Sequence, residues 1–272
     1  WPSIGKYHVR HILEVADVTK LKDETGLDVT FTTGLATPAV RLSQTGVGIY
    51  LATFQTRAFW GGAEVPRANV NHGLAYLSST KALPNWDARI KLNALAVADY
   101  KKNWDARPKA IGDAGYWQKS MAATGGRWDL GLIPKWEMLA LYSGDAHLHD
   151  ITERSAEIAG SWRFFMREGA ANKTIFGDVP GIGHVPSKLS RPTQWVGQGI
   201  NGTVKTGVDG FTFDGPIANP DGWHEDSAHT PGVFWLSYLT TGQAIWHEKL
   251  MQMAAWSIFI PNPGVGYNSV AT

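Results

Sequence analysis

The 272-residue chain contains no cysteine. Disulfides, thiolate zinc sites and a cysteine nucleophile are thereby excluded, while the compartment stays open, since a cysteine-free protein suits reducing and oxidising surroundings alike. Charge is also sparse. Only 18% of residues are charged, and 25 Lys and Arg stand against 24 Asp and Glu, a formal net charge of +1. That balance creates no overall field for a polyanion, so neither nucleic acid nor an anionic membrane surface is an expected partner. No run of about 18 apolar residues occurs, so there is no candidate membrane span. The first residues, Trp1-Pro2-Ser3, carry neither a methionine nor the basic start of a signal peptide, and the chain is expected to be a piece of something longer. Common catalytic signatures are missing as well. There is no Gly-x-Ser-x-Gly elbow, and "GIGHVPS" at 181–187 lacks the spacing and the strand-to-helix context of a phosphate loop.

What the chain does have is apolar content and tryptophan. At 43% hydrophobic residues a sizeable core is expected. Thirteen tryptophans are spread from Trp1 to Trp256. Most of these fit core packing, while those in loops are candidates for the flat indole platforms on which sugar rings stack.

The period of the apolar residues changes near residue 66. Before it, 8–18, 27–36, 39–46 and 47–60 alternate and are rich in β-branched residues, with turn signals at Thr25-Gly26, Thr37-Pro38, Thr45-Gly46 and Gly61-Gly62. Residues 1–66 therefore read as the C-terminal part of a β-domain. After it, apolar spacing becomes helical and three antiparallel helical hairpins are expected: 73–83 with 88–104, 133–145 with 148–168, and 230–243 with 244–260. The second and third match position by position, Pro134 with Pro231 and Leu141-Tyr142-Ser143-Gly144-Asp145 with Leu239-Thr240-Thr241-Gly242-Gln243, which marks an internal repeat. A Gly/Pro-rich insertion separates them at about 169–222, too long for a plain connector. The fold class expected is α+β, a β-sheet portion followed by an incomplete α/α toroid over 67–272, each hairpin burying its apolar face on the next. A solenoid of the same units is the alternative.

Several blocks carry a resemblance: "VRHILEVADVTKL", "VTFTTG", "NHGLAYLSSTKALPNWD", "WDLGLIPKWEMLALYSGD" with "AEIAGSW", and "DSAHTPGVFWLSYLTTGQ". They resemble large bacterial and phage proteins similar to the exo-rhamnogalacturonan lyase group of polysaccharide lyases. The resemblance spans nearly the whole chain and implies a β-domain followed by an α/α toroid. It transfers no catalytic residue to a position here.

Candidate chemistry gathers where polar clusters precede helices. "WHEDSAHTP" at 223–231 holds two histidines and two carboxylates. His224-Glu225-x-x-x-His229 has a spacing of five, where a zinc-protease helix needs four, so that reading fails. A non-helical metal site using His224, Asp226 and His229 stays open, as does a polar cap in which Ser227 or Thr230 precedes Pro231. No metal or other cofactor is expected. Three clusters stand immediately before first helices: Asn71-His72, Arg127-Trp128-Asp129, and Glu225-Asp226 with His229. If those helices are equivalent in a toroid, the clusters converge on one concave face. Two reactions suit such a cleft. In β-elimination of an acidic polysaccharide, His229 or His72 is the base and Arg127 neutralises the carboxylate. In hydrolysis, Asp129 and Asp226 flank the glycosidic bond. Trp128 and Trp223 would stack on sugar, with Asn71 and Glu225 as polar contacts. His147-x-His149-Asp150 reads as the solvated start of a helix. A polysaccharide lyase-like protein, extracellular or virion-associated, is the favoured expectation, with other copies or domains of a larger assembly as further partners. A glycoside hydrolase, or a non-catalytic structural or glycan-adhesion segment of a filament or phage tail component, is the alternative.

Overall fold

A computed structural model describes residues 5–15, 24–34, 36–50, 52–120, 127–131, 133–165, 167–168, 173–174, 222–223 and 230–259. Strands and helices coexist in an α+β arrangement, with strands concentrated at the start as the alternation predicts. β1 (His8–Val15) pairs antiparallel with β4 (Thr53–Trp60), and β2 (Glu24–Thr33) pairs antiparallel with β3 (Ala39–Ile49).

Thr45-Gly46 is not the turn that its sequence suggests. β3 runs straight through it, because Gly46 takes a left-handed φ of 66° and its N–H donates to the Asp28 carboxylate at 3.2 Å. The pairing of β2 with β3 shifts register nearby, between Leu27 and Val29, so the glycine makes an irregularity in the ladder rather than ending it. The chain reverses later, where Thr53 N–H bonds to Tyr50 O at 3.2 Å.

The helices are α1 (Leu74–Ser79), α2 (Ala94–Asp105), α3 (Lys135–Ser143), α4 (Ala146–Ile158), α5 (Trp235–Thr241) and α6 (Ala244–Phe259). α2 begins six residues later than its apolar spacing suggests. Asn93 is the cause, since its side chain accepts from Leu95 N and Ala96 N and so satisfies the first free amides. α1 and α2 do not close on each other as a hairpin; α2 packs on α4 instead. α5 also starts late, at Trp235 rather than near Pro231, because Phe234 sits in the left-handed region at φ 71°. α4 stops at Ile158 and gives way to a short 3-10 helix, Ala159–Ser161. Here Gly160 lies so close to β4 that an added Cβ would stand 2.1 Å from Phe54 O. The expected helix over 159–168 is thus replaced by this tight turn and by β5 (Arg167–Glu168), which pairs with β6 (Lys173–Thr174).

The internal repeat is visible in atomic detail. α3 and α4 pack together, as do α5 and α6, and α4 packs on α5. Gly144 and Gly242 end α3 and α5 with nearly the same dihedrals (φ 64°, ψ 15° and φ 62°, ψ 14°), each N–H returning 2.8 Å to the carbonyl four residues back. Ser143 and Thr241 both donate their hydroxyls four residues back, and both accept from the N–H two residues on. Gly144 is further constrained, for an added Cβ would meet Val70 O at 2.1 Å. Gly144→Ala is therefore expected to destabilise the fold by about 2–4 kcal/mol, from the left-handed conformation plus the backbone clash. Chemical denaturation of the variant checks it. Gly242→Ala, whose Cβ would meet nothing, should lose only the conformational part.

One core runs across residue 66, for Ala52 and Phe54 belong to the same buried cluster as α3, α4, α5 and α6. Tryptophan goes mainly there: Trp136, Trp162, Trp223, Trp246 and Trp256 are wholly buried. Phe54, Phe165, Phe234 and Trp246 form a chain of ring contacts 4.6 to 5.6 Å apart from sheet to helix.

Glu137 on α3 lies inside this core and accepts from Leu236 N of α5. Burial pushes its carboxyl up to about 8, with the amide bond opposing. The folded state therefore holds a proton that the unfolded chain releases near pH 4.5. Its contribution to stability is complete below that value and is lost as pH rises towards 8, at roughly 1 kcal/mol per pH unit. Glu137→Gln is expected to flatten that slope, so the gap between variant and wild type in thermal unfolding should shift in the variant's favour from pH 5 to pH 8. An unchanged gap would contradict a buried neutral carboxyl.

Candidate functional site

α4 has two working faces. Leu148, Ile151, Thr152, Ser155 and Ala156 are buried on one. His147, Asp150, Glu153, Arg154 and Glu157, at helical spacing, line a cleft shared with β1, β4 and the α5–α6 turn. Its volume is about 1060 Å3, ample for sugar rings.

Arg10 of β1 spans the cleft. Its guanidinium donates to Glu153 Oε1 at 2.5 Å, to Glu157 Oε1 at 2.9 Å and to Gln243 Oε1 at 2.7 Å, and it lies 4.7 Å from the Trp246 ring centre. Glu157 also takes Arg154 at 3.0 Å and Ala58 N–H at 3.1 Å. Burial raises the Glu153 carboxyl above the ordinary carboxylate range, Arg10 opposing and Glu157 reinforcing. At the cleft rim His147 Nε2 meets Asp105 Oδ1, from the end of α2, at 3.0 Å. A carboxylate only accepts, so Nε2 carries the hydrogen of this bond. Trp60 is half-buried in the lining, with His8 tilted against it at 4.7 Å. Together these groups bring an imidazole, a buried carboxyl and an indole to the lining of one space.

The residues expected from sequence are distributed differently. Arg127 and Asp129 are buried and bind each other through two bonds of 3.0 and 2.8 Å, and Asp129 also accepts from Gln118 N at 3.2 Å. Asp129 is 0% exposed, so it cannot flank a glycosidic bond, and Arg127 is committed to it. Trp223 is likewise 0% exposed, packed edge-on against Trp162 with its N–H on Gly112 O, which leaves no face for sugar. Trp128 is exposed but held by its N–H to Tyr116 O, away from the cleft lining. Asn71 accepts from Gly73 N, shaping the turn into α1. His72 is paired with His149 of α4, Nε2 to Nε2 at 2.7 Å. Burial, then the neighbouring His72, lowers His149 to about 4, so this pair is neutral near pH 7. No hydrogen bond, ion pair or ring contact joins His72 to the Arg127–Asp129 pair, so the expected convergence of those clusters is not realised by contact. His224, Glu225, Asp226 and His229 lie outside the described residues.

Glu153 and Arg10 do not stand out in the sequence, and His147 reads there only as part of the solvated start of a helix. The signal was the stripe Asp150, Glu153, Arg154, Glu157 on a helix whose other face is apolar, facing a strand that interrupts β-branched residues with Arg10. Among the described residues no group of three or more His, Asp or Glu is placed to hold a metal ion, and no helix is long and apolar enough to cross a membrane. No protein-family model, curated protein or solved structure matches the chain.

Proposed function

We propose that the chain is a carbohydrate-active protein that cleaves an acidic polysaccharide by β-elimination in the cleft between β1, β4 and α4. The observation that carries this reading is the placing of the His147 imidazole and of the Glu153 carboxyl, which burial raises above the ordinary range, on one wall of a cleft large enough for sugar. The two lie six residues apart on α4, about 9 Å along the helix axis, which leaves room for one ring between them. His147 Nδ1 takes the proton α to the sugar carboxylate. That electron pair becomes the new C=C bond, the β C–O bond breaks, and Glu153 gives its proton to the departing oxygen. Cations along the lining, Arg10, Arg57, Arg67, Lys109 and Arg154, outnumber the acids Glu64, Asp150, Glu153 and Glu157, in keeping with an anionic substrate. The resemblance to the exo-rhamnogalacturonan lyase group points the same way.

Glu153 and Glu157 sharing one arginine also favour a second reading, hydrolysis with the two as acid and partner carboxylate, in place of Asp129 and Asp226. Incubation with a panel of acidic glycans separates the two. Elimination yields an unsaturated uronate with its own ultraviolet absorbance, hydrolysis yields reducing ends without it, and binding without either product supports the glycan-adhesion reading. We further propose that the repeated helix pairs are an arc of an α/α toroid, supported by their matching glycine caps and mutual packing. An extracellular or virion-associated setting, among other domains of a larger assembly, suits a polymeric substrate.

A further inference from the structure

We infer that Arg57 is the receptor for a single oxyanion group of the ligand, a carboxylate or a sulfate ester, inside the cleft. The inference rests on reading this cleft as the glycan site and says which residue grips the acid group. Every other arginine of the lining has a carboxylate of its own: Arg10 holds Glu153 and Glu157, Arg67 holds Asp150 at 2.8 Å, and Arg154 holds Glu157. Arg57 lies on β4 opposite His11, and among the described residues its guanidinium makes no hydrogen bond and no ion pair; its close partner is the Phe59 ring, 5.4 Å from its guanidinium carbon. The nearby acids are already engaged, Glu157 by Arg10, Arg154 and Ala58 N–H, and Glu64 by Arg41.

This partly buried guanidinium presents five N–H donors that no described protein group takes, so an incoming oxyanion can meet them without breaking an existing pair. Burial and then the like charge of Arg154 weaken its hold on its proton, with Glu157 and Glu64 opposing from a distance. Arg154 adds to the same deficit, for its buried Nε has no acceptor. The planar fork matches the two oxygens of a carboxylate or of a sulfate ester, and Phe59 braces one side of the plane. Lys109 cannot substitute, because its ammonium is spent on the carbonyls of Trp104, Asp105 and Arg107.

The test is binding, read without turnover. Sodium glucuronate, its methyl ester and glucose 6-sulfate are titrated by calorimetry into wild type, Arg57→Gln and Arg57→Lys, with thermal unfolding to show that each variant folds. Binding of glucuronate or of the sulfate ester, at least tenfold weaker in Arg57→Gln and partly restored in Arg57→Lys, supports the site. Preference for one of the two anions identifies the group, and the methyl ester should bind no better than the variant binds the acid. Should Arg57→Gln not fold, the Nε–H resonance of Arg57 in wild type must shift on adding the bound anion. Equal affinity in Arg57→Gln, an unmoved resonance, or no binding of either anion by wild type overturns the inference. Absence of elimination products with anion binding intact would reject the lyase reading alone.

Discussion

Asp129→Ala is expected to cost the fold about 3–5 kcal/mol, most of it from the partner left behind. Asp129 is wholly buried and holds Arg127 through both oxygens while also accepting from Gln118 N. Without it, the buried Arg127 guanidinium keeps, among the described residues, only Ser120 O, at 3.5 Å. An unpaired charge in that place has no route to water, since the Arg127 side chain is 4% exposed. Asp129→Asn keeps the shape and one acceptor and should lose less. Replacing both partners by apolar residues of similar size should be milder than either single change, because no charge is then stranded. Urea unfolding of the three variants checks the order. A milder loss for Asp129→Ala than for the double replacement would mean the pair is not closed to solvent.

On the proposed elimination, Glu153→Gln should lower the rate of glycan cleavage by about 10²–10⁴. The amide keeps an oxygen for Arg10 while removing the transferable proton and the carboxylate charge. The pH profile carries the sharper information. Because burial raises Glu153 above the ordinary carboxylate range, the acid form persists to higher pH than a free glutamic acid would, and activity should fall on the alkaline side as that proton is lost. The variant should lose this limb altogether. If Glu153→Gln retains both full activity and the alkaline limb, Glu153 is not the acid. Substrate affinity should stay near the wild-type value, which separates proton transfer from binding.

The β-strands and the second and third helix pairs were legible in the sequence because each is a local pattern: alternation over eight to eleven residues, or glycine in a left-handed cap between apolar turns. Gly46 misled because a glycine that bends a ladder and a glycine that ends one look the same without the partner strand; only the Asp28 carboxylate decides between them. α2 was overextended because apolar spacing from Ile90 to Leu95 continues smoothly through Asn93, whose capping bonds are invisible to periodicity. The candidate site was less legible. Arg127, Trp128 and Asp129 read as a functional cluster because polar residues beside a helix start resemble a cleft rim, yet Arg127 and Asp129 satisfy each other inside the protein. Glu153 and Arg10 are 143 residues apart, and nothing local announces that a strand arginine will meet a helix glutamate. Such sites are products of packing between layers, whereas caps and turns are products of neighbours in the chain.

Arg10 gives that packing a dynamic meaning. It fastens β1 to α4 and to the head of α6 with a single guanidinium divided between Glu153, Glu157 and Gln243. Any proton that Glu153 gains removes the charge from one strand of that fastening, so the strength with which sheet and helices are clamped must vary with pH. Acidification should therefore loosen this junction before it unfolds the helices themselves.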